Sequence, residues 1–359
     1  MKRRIATAIL LLLLVVIAGC ETGQMASNGE NQAPPPQITT EDPMPLEPPA
    51  PAEAHEQENT AVEKAEASPQ DDKAEPATAS SENSFHLHLS QDFGREKLDS
   101  RQVKVSDNNL LDYMREEWQV KTGYGGGFVQ AIIGLESAYS SGIRYDWFFY
   151  VNGVGSPMGA NKINPSPGHI IWWDYHFWST GPGQSAVIGC YPQPFKNRGI
   201  TILTTQRCME LALQCGEAMG ASGIRTVEIA DLSQNISLLE RPTVPVMVIG
   251  AWTELEENPY LQKWNESYRQ NGSSIHFTDN GVELLAADGQ VQRTMGEGTG
   301  VIVASGKGLG DNNPLWLVAG VDDQGVKEAA RILCSQPEEL RWKYGLAVQG
   351  SQIMALPAD

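Results

Sequence analysis

Nine of the 32 residues from Trp147 to Trp178 are Phe, Tyr or Trp, against 8% aromatic residues in the whole chain. A Trp or Tyr turned outward offers a flat apolar face with a polar tip, suited to a ligand ring, a sugar face or a protein partner. Alternation along a strand sends neighbours such as Trp172 and Trp173 to opposite faces, so one set can fill a core while the other binds. The ligand-binding candidates are Trp147, Tyr150, Asn152, Trp172 and Tyr175. His169 and His176 bring imidazole nitrogens, common metal donors, to the same stretch. Lone histidines are ordinarily surface or packing residues, and no metal site is assigned.

Catalytic chemistry finds little to use. No Gly-x-Ser-x-Gly elbow, His-Glu-x-x-His pair or Cys-x-x-Cys motif occurs, and His276 is the only histidine beyond His176. Glu254, Glu256, Glu257, Asp322 and Asp323 stand near expected helix starts, where capping and the helix dipole account for them. Gly306-Lys307 invites a phosphate-loop reading. Five residues separate Gly300 from Gly306 where four are needed, and Gly308 follows the lysine where Ser or Thr should stand, so a strand edge and turn fit better. The chain is read as a binding protein and not an enzyme.

Lys2, Arg3 and Arg4 precede an uncharged apolar run from Ile5 to Ala18, and Ile17-Ala18-Gly19-Cys20 closes it. This is the pattern of a secretory signal over residues 1–19, and the run is short of the roughly 20 residues a spanning helix needs. The last four residues resemble the bacterial lipobox, which implies lipidation of Cys20, with stable anchoring by several acyl chains. The expectation is a protein held on the extracytoplasmic side of a membrane.

Residues 20–84 are poor in large apolar side chains and rich in Pro, Ala, Glu, Ser and Gln, the composition of a disordered tether. Residues 21–84 hold 14 acidic and 2 basic side chains, so most of the net charge of −18 belongs to the tether. No basic stripe is present to neutralise phosphates, which excludes nucleic acid as a partner. Beyond Cys20 the cysteines are Cys190, Cys208, Cys215 and Cys334, an even set with three possible pairings. Cys208 and Cys215 are seven residues apart in a helical pattern, about 10.5 Å, too far to bridge each other. Disulfides and free thiols both remain open.

The elements that must position the aromatics read in order from Phe85. Phe85–Leu89 and Arg101–Val105 alternate as half-buried strands. Asp107 is a helix cap candidate, followed by Leu110, Leu111, Met114 and Trp118 at helical spacing. Gly125-Gly126-Gly127 breaks the chain before Phe128–Ile133. Trp147–Val151 is a strand stopped by Asn152-Gly153, a strong hairpin signal, and Pro165–Gly168 turns into His169–Tyr175. Residues 85–180 thus form an α+β domain in which a mixed sheet packs on one helix.

Asn109-Leu110-Leu111, Gly127–Gly134, Trp147–Gly153 and Pro167–Tyr175, in this order, resemble the transcobalamin C-terminal-like domain over about residues 95–180, of which bacterial members form a family of unknown function. The resemblance implies a β-grasp-like fold and, as ligand, cobalamin or a related corrinoid, with a vitamin transporter as partner. The sequence departs from the family at Gly168-His169, where Gly-Asp is common, and shows no helical barrel to cover the other face of the ligand.

From 185 to 357, strands at Gly199–Leu203, Arg225–Ile229, Val244–Ile249, Val301–Ala304 and Leu315–Gly320 alternate with helices at Met209–Met219, capped by Thr204 or Thr205, at Pro259–Gln270 and at Asp323–Leu333. This predicts an α/β domain with a mostly parallel sheet. The leading expectation is corrinoid capture in a cleft between the two domains. The alternative is a cell-surface adhesion or envelope-assembly module that binds glycan or protein.

Overall fold

The alternation of Phe85, Leu87 and Leu89 with His86, His88 and Ser90 is realised in β1 (Ser84–Gln91), which leaves the first three in one core and turns the others to the opposite face. The computed structural model describes residues 83–140, 143–178 and 183–359; the signal segment, Cys20 and nearly all of the acidic tether lie outside them. The described residues belong to one compact unit, of mixed α+β class.

β2 (Glu96–Lys104) pairs with β1. Helix α1 (Leu110–Glu117) buries Leu110, Leu111, Tyr113 and Met114. Its cap is Asn109, not the expected Asp107: the Leu110 N–H is taken by the Ile163 carbonyl at 2.7 Å, and Asn109 Oδ1 accepts from the Asp112 N–H at 3.1 Å. A small antiparallel sheet of β3 (Val120–Gly123), β4 (Phe128–Ile132) and β5 (Leu135–Glu136) follows. β6 (Ala138–Ser140), β7 (Ile143–Val151), β8 (Val154–Gly155) and β9 (Ile170–Trp178) complete the first main sheet, in the order β2-β1-β9-β7-β6 with β8 beside β7. β1 runs parallel to β9 and the remaining pairs are antiparallel. Asn152-Gly153 forms the two-residue β7–β8 turn, with φ of 55° and 80°, the left-handed pair that a tight hairpin requires.

A one-turn helix α2 (Phe195–Arg198) leads into β10 (Ile200–Thr204), α3 (Met209–Ala221), β11 (Val227–Asp231), a short α4 (Ser237–Glu240), β12 (Val246–Ala251), a short α5 (Trp252–Leu255) and α6 (Pro259–Glu266). Thr205 precedes the turn that enters α3 but makes no side-chain cap, while Thr204 Oγ1 donates to the Ile249 carbonyl. A three-stranded antiparallel sheet, β13 (Ile275–Thr278), β14 (Gly281–Leu285) and β15 (Val291–Met295), had no counterpart in the sequence reading. β16 (Thr299–Ser305), β17 (Leu315–Gly320), α7 (Asp323–Ser335), β18 (Gly345–Gln349) and β19 (Gln352–Leu356) finish the chain.

The second main sheet runs β11-β10-β12-β17-β16-β18-β19. Its first four strands are mutually parallel and its last three junctions are antiparallel. The expected mostly parallel sheet is therefore only half so: the chain re-enters from β15 into β16 in the reverse direction, and β18–β19 is a hairpin. Helices α3 and α7 cover one face through Ala212, Cys215, Met219, Val326, Ala330 and Leu333. Residues of α6 and of the inserted β13–β15 sheet cover the other, with Leu261, Phe277 and Val282 among them. No helix among the described residues is long and apolar enough to cross a membrane.

Candidate functional site

Register decides which aromatics can act together. On β7 and β9, Phe148 stands opposite Asp174 and Tyr150 opposite Trp172, so these four share one face; Trp147 stands opposite Tyr175 on the other. β1 extends the first face, placing His88 beside Trp172 and Ser90 beside Asp174. The second face packs on α1. The first turns toward the C-terminal half of the chain, where Val187, Cys190 and Tyr344 pack on Phe93, Tyr150 and Trp172.

Asp174 is fully buried in this seam. Its carboxylate accepts from Ser90 Oγ, from the Phe93 and Gly94 N–H groups at 2.9 Å each, and from Tyr344 OH at 3.3 Å, and it lies 2.7 Å from His176 Nδ1. Trp172 Nε1 donates to Ser90 Oγ at 2.7 Å. Asp92, Phe93 and Gly94 all have positive φ, at 55°, 58° and 80°. The turn through these residues aims the Phe93 and Gly94 N–H groups at one point, a small anion-holding concavity that Asp174 fills. Glycine is required at 94, because a Cβ there would lie 2.0 Å from the Trp342 carbonyl oxygen. Burial, followed by the Asp174 charge, raises the Tyr344 hydroxyl well above its usual range; burial also raises Tyr150.

Where this seam opens, a cleft of about 760 Å³ lies between strands β7 and β9 and the segments 183–185, 268–274, 285–289 and 306–309. Phe93, Phe148, Tyr150, His176, Phe177 and Trp178 contribute to its wall, and the exposed Arg269, Asp288 and Lys307 to its rim. The His176 ring is sandwiched between Phe93 and Phe148, with centroids 4.2 and 4.4 Å away. A carboxylate at Nδ1 favours the tautomer with its proton there, leaving Nε2 as the acceptor atom of the ring. The arrangement can offer a bound molecule stacking surface, one fixed imidazole and a charged rim.

The structure does not gather the five expected residues at one surface. Trp147 and Tyr150 belong to the cleft wall, but the Trp147 indole donates to the Leu135 carbonyl and packs on Tyr175 on the α1 side. Tyr175 donates its hydroxyl to the Glu136 carbonyl. Trp172 has no exposed surface. Asn152 closes its hairpin, accepting from the Ile170 N–H at 2.9 Å. His169 Nδ1 accepts from the Ser166 N–H in a turn. The sequence reading missed Ser90, Phe93, Asp174 and Tyr344. One signal was available: an Asp inside Trp172-Trp173-Asp174-Tyr175 must be paired if that strand is buried.

Among the described residues, no group of three or more His, Cys, Asp or Glu side chains is placed to hold a metal ion. The family described as a domain of unknown function (DUF4430) matches residues 107–176, which include β7 and most of β9. Among solved structures, a protein of Ruminococcus gnavus described as a "putative metal binding protein" is similar at 14% identity and a TM-score of 0.23, over 26% of this chain and 96% of that one. No curated protein matches the chain.

Proposed function

We propose that the chain is an extracytoplasmic, lipid-anchored binding protein that captures a planar ring ligand, cobalamin or a related corrinoid, and passes it to a vitamin transporter. The observation that carries this reading is the cleft: stacked aromatic rings line its wall and charged side chains its rim. A corrin has the same division, a broad ring face fringed by amides. The volume falls within the range of small-molecule sites. The match at 107–176 and the Trp147–Gly153 and Pro167–Tyr175 motifs support a β-grasp-like, transcobalamin-like assignment for the first sheet. Anchoring would be through Cys20, and the seam residues set the cleft wall without reacting.

Calorimetric titration of the full chain with cyanocobalamin and with cobinamide tests the reading. Saturable sub-micromolar binding, weakened at least tenfold by Leu309→Arg, is expected; Leu309 lines the cleft and is 61% exposed, so the change should spare the fold. Absence of heat and of any thermal shift with both corrinoids would overturn it. The second reading, an adhesion or envelope-assembly module, is favoured by Tyr124 and Tyr139, which are 92% and 71% exposed. Retention of the chain on cell-wall material, lost in a Tyr124→Ala, Tyr139→Ala double variant, would support it.

A further inference from the structure

Helices α3 and α7 lie side by side on one face of the second sheet, and each turns a cysteine to the other. Cys215 and Cys334 bring their Sγ atoms to 2.9 Å, closer than two unbonded sulfurs ordinarily rest. Neither Cys190 nor Cys208 makes such a contact: Cys190 packs with Tyr150 and Trp172 in the seam, and Cys208 sits at the start of α3. Formation of a bond needs an approach to about 2.0 Å, a shift of about an ångström for side chains on two helices already in contact.

We infer that Cys215 and Cys334 are the chain's cross-linking pair, forming one disulfide between α3 and α7, while Cys190 and Cys208 stay reduced. Of the three pairings open to four cysteines, this selects one bond and leaves the others unmade. Cys215 is fully buried and Cys334 is partly exposed, so Cys334 meets an oxidant first. Hydrogen bonding with the Cys215 thiol holds Cys334 below its usual range, which favours the attacking thiolate. Burial pushes the Cys190 thiol up to about 12, a poor nucleophile.

The oxidant is a disulfide, small or protein-borne. The Cys334 thiolate attacks one of its sulfurs and expels the other as a thiolate, giving a mixed disulfide on Cys334. Cys215 then loses its proton, attacks Cys334 Sγ and expels the second thiolate. Two protein thiols become one disulfide, the oxidant becomes two thiols, and the released protons go to the leaving groups. The bond closes a loop of more than a hundred residues that includes most of the second sheet.

The test is peptide mapping of the full chain, made by export without reductant and then incubated folded with oxidised glutathione, with free thiols alkylated in denaturant before digestion. A Cys215–Cys334 linked peptide is expected, with Cys190 and Cys208 recovered alkylated. Recovery of Cys215 and Cys334 as alkylated singles after oxidant, or in a link to any other cysteine, overturns the assignment. A second measurement does not depend on the map. Reductant should lower the thermal midpoint of the wild-type chain by several degrees and leave that of Cys334→Ser unchanged; an equal response of the two chains overturns it.

Discussion

Asp174 serves five donors through two oxygens: Ser90, the Phe93 and Gly94 backbone, His176 and Tyr344. An amide at this position keeps one acceptor oxygen and adds a donor among donors. Asp174→Asn should therefore destabilise the chain by roughly 2 kcal/mol or more, read as a lower urea midpoint at an unchanged slope. His86 and His88 make a second expectation. His88 stacks on Trp342 at 3.6 Å, the Arg341 guanidinium lies over the Trp342 ring at 5.2 Å, and both imidazoles lie against Ser100. Burial, then the Arg341 charge, lowers His86 to about 4; burial, then neighbouring positive groups, lowers His88 to about 2. The unfolded chain protonates these rings near 6.5 while the folded chain does not. Unfolding thus takes up protons, and stability that is fully present above pH 6.5 falls as the pH drops toward 4. Each unit of that drop costs up to about 1.4 kcal/mol per histidine. Urea midpoints at pH 7.5 and 5 should differ for the wild type, and a His86→Gln, His88→Gln double variant should flatten the difference.

Turns and caps carry the predictions that belong to single elements. Gly153 has φ of 80°, and a Cβ there would lie 2.9 Å from the Val187 carbonyl oxygen, so Gly153→Ala should cost upward of about 1 kcal/mol by thermal unfolding. Asn109→Ala should cost about 1 kcal/mol through loss of the α1 cap. Much of this level was legible in the sequence. The alternation of Phe85–Leu89, the aromatic strand ended by Asn152-Gly153 and the helical spacing from Asp323 to Leu333 each mark an element that forms. β15 escaped because Val291–Met295 is exposed at all but one position and carries little alternation to read. β18 and β19 escaped as a short strand pair at the end of a sheet whose order only the assembled chain defines. At the candidate site the aromatic cluster was legible and its allocation to faces was not, because alternation fixes that neighbours diverge without saying which side meets a second layer.

In the whole molecule the two main sheets are joined by more than the chain. The face of the first that bears Tyr150, Trp172 and Asp174 is buried against residues after 183, with Tyr344 reaching across to Asp174. A fragment of residues 83–178 would expose that face and leave a buried carboxylate network open to water. It should be aggregation-prone and bind a hydrophobic dye, whereas the complete chain should not; a well-dispersed amide spectrum from the fragment would contradict the expectation. The placement of β1 carries a mechanical consequence. This first strand of the described chain lies inside its sheet, bonded along its length to β2 on one side and β9 on the other. Tension applied at Ser84 pulls β1 along its own axis, across bonds that run sideways to both neighbours. Those rungs share the load and must yield together, where an edge strand peeled from its end would surrender them one at a time, so a chain held from this end meets drag with its strongest geometry.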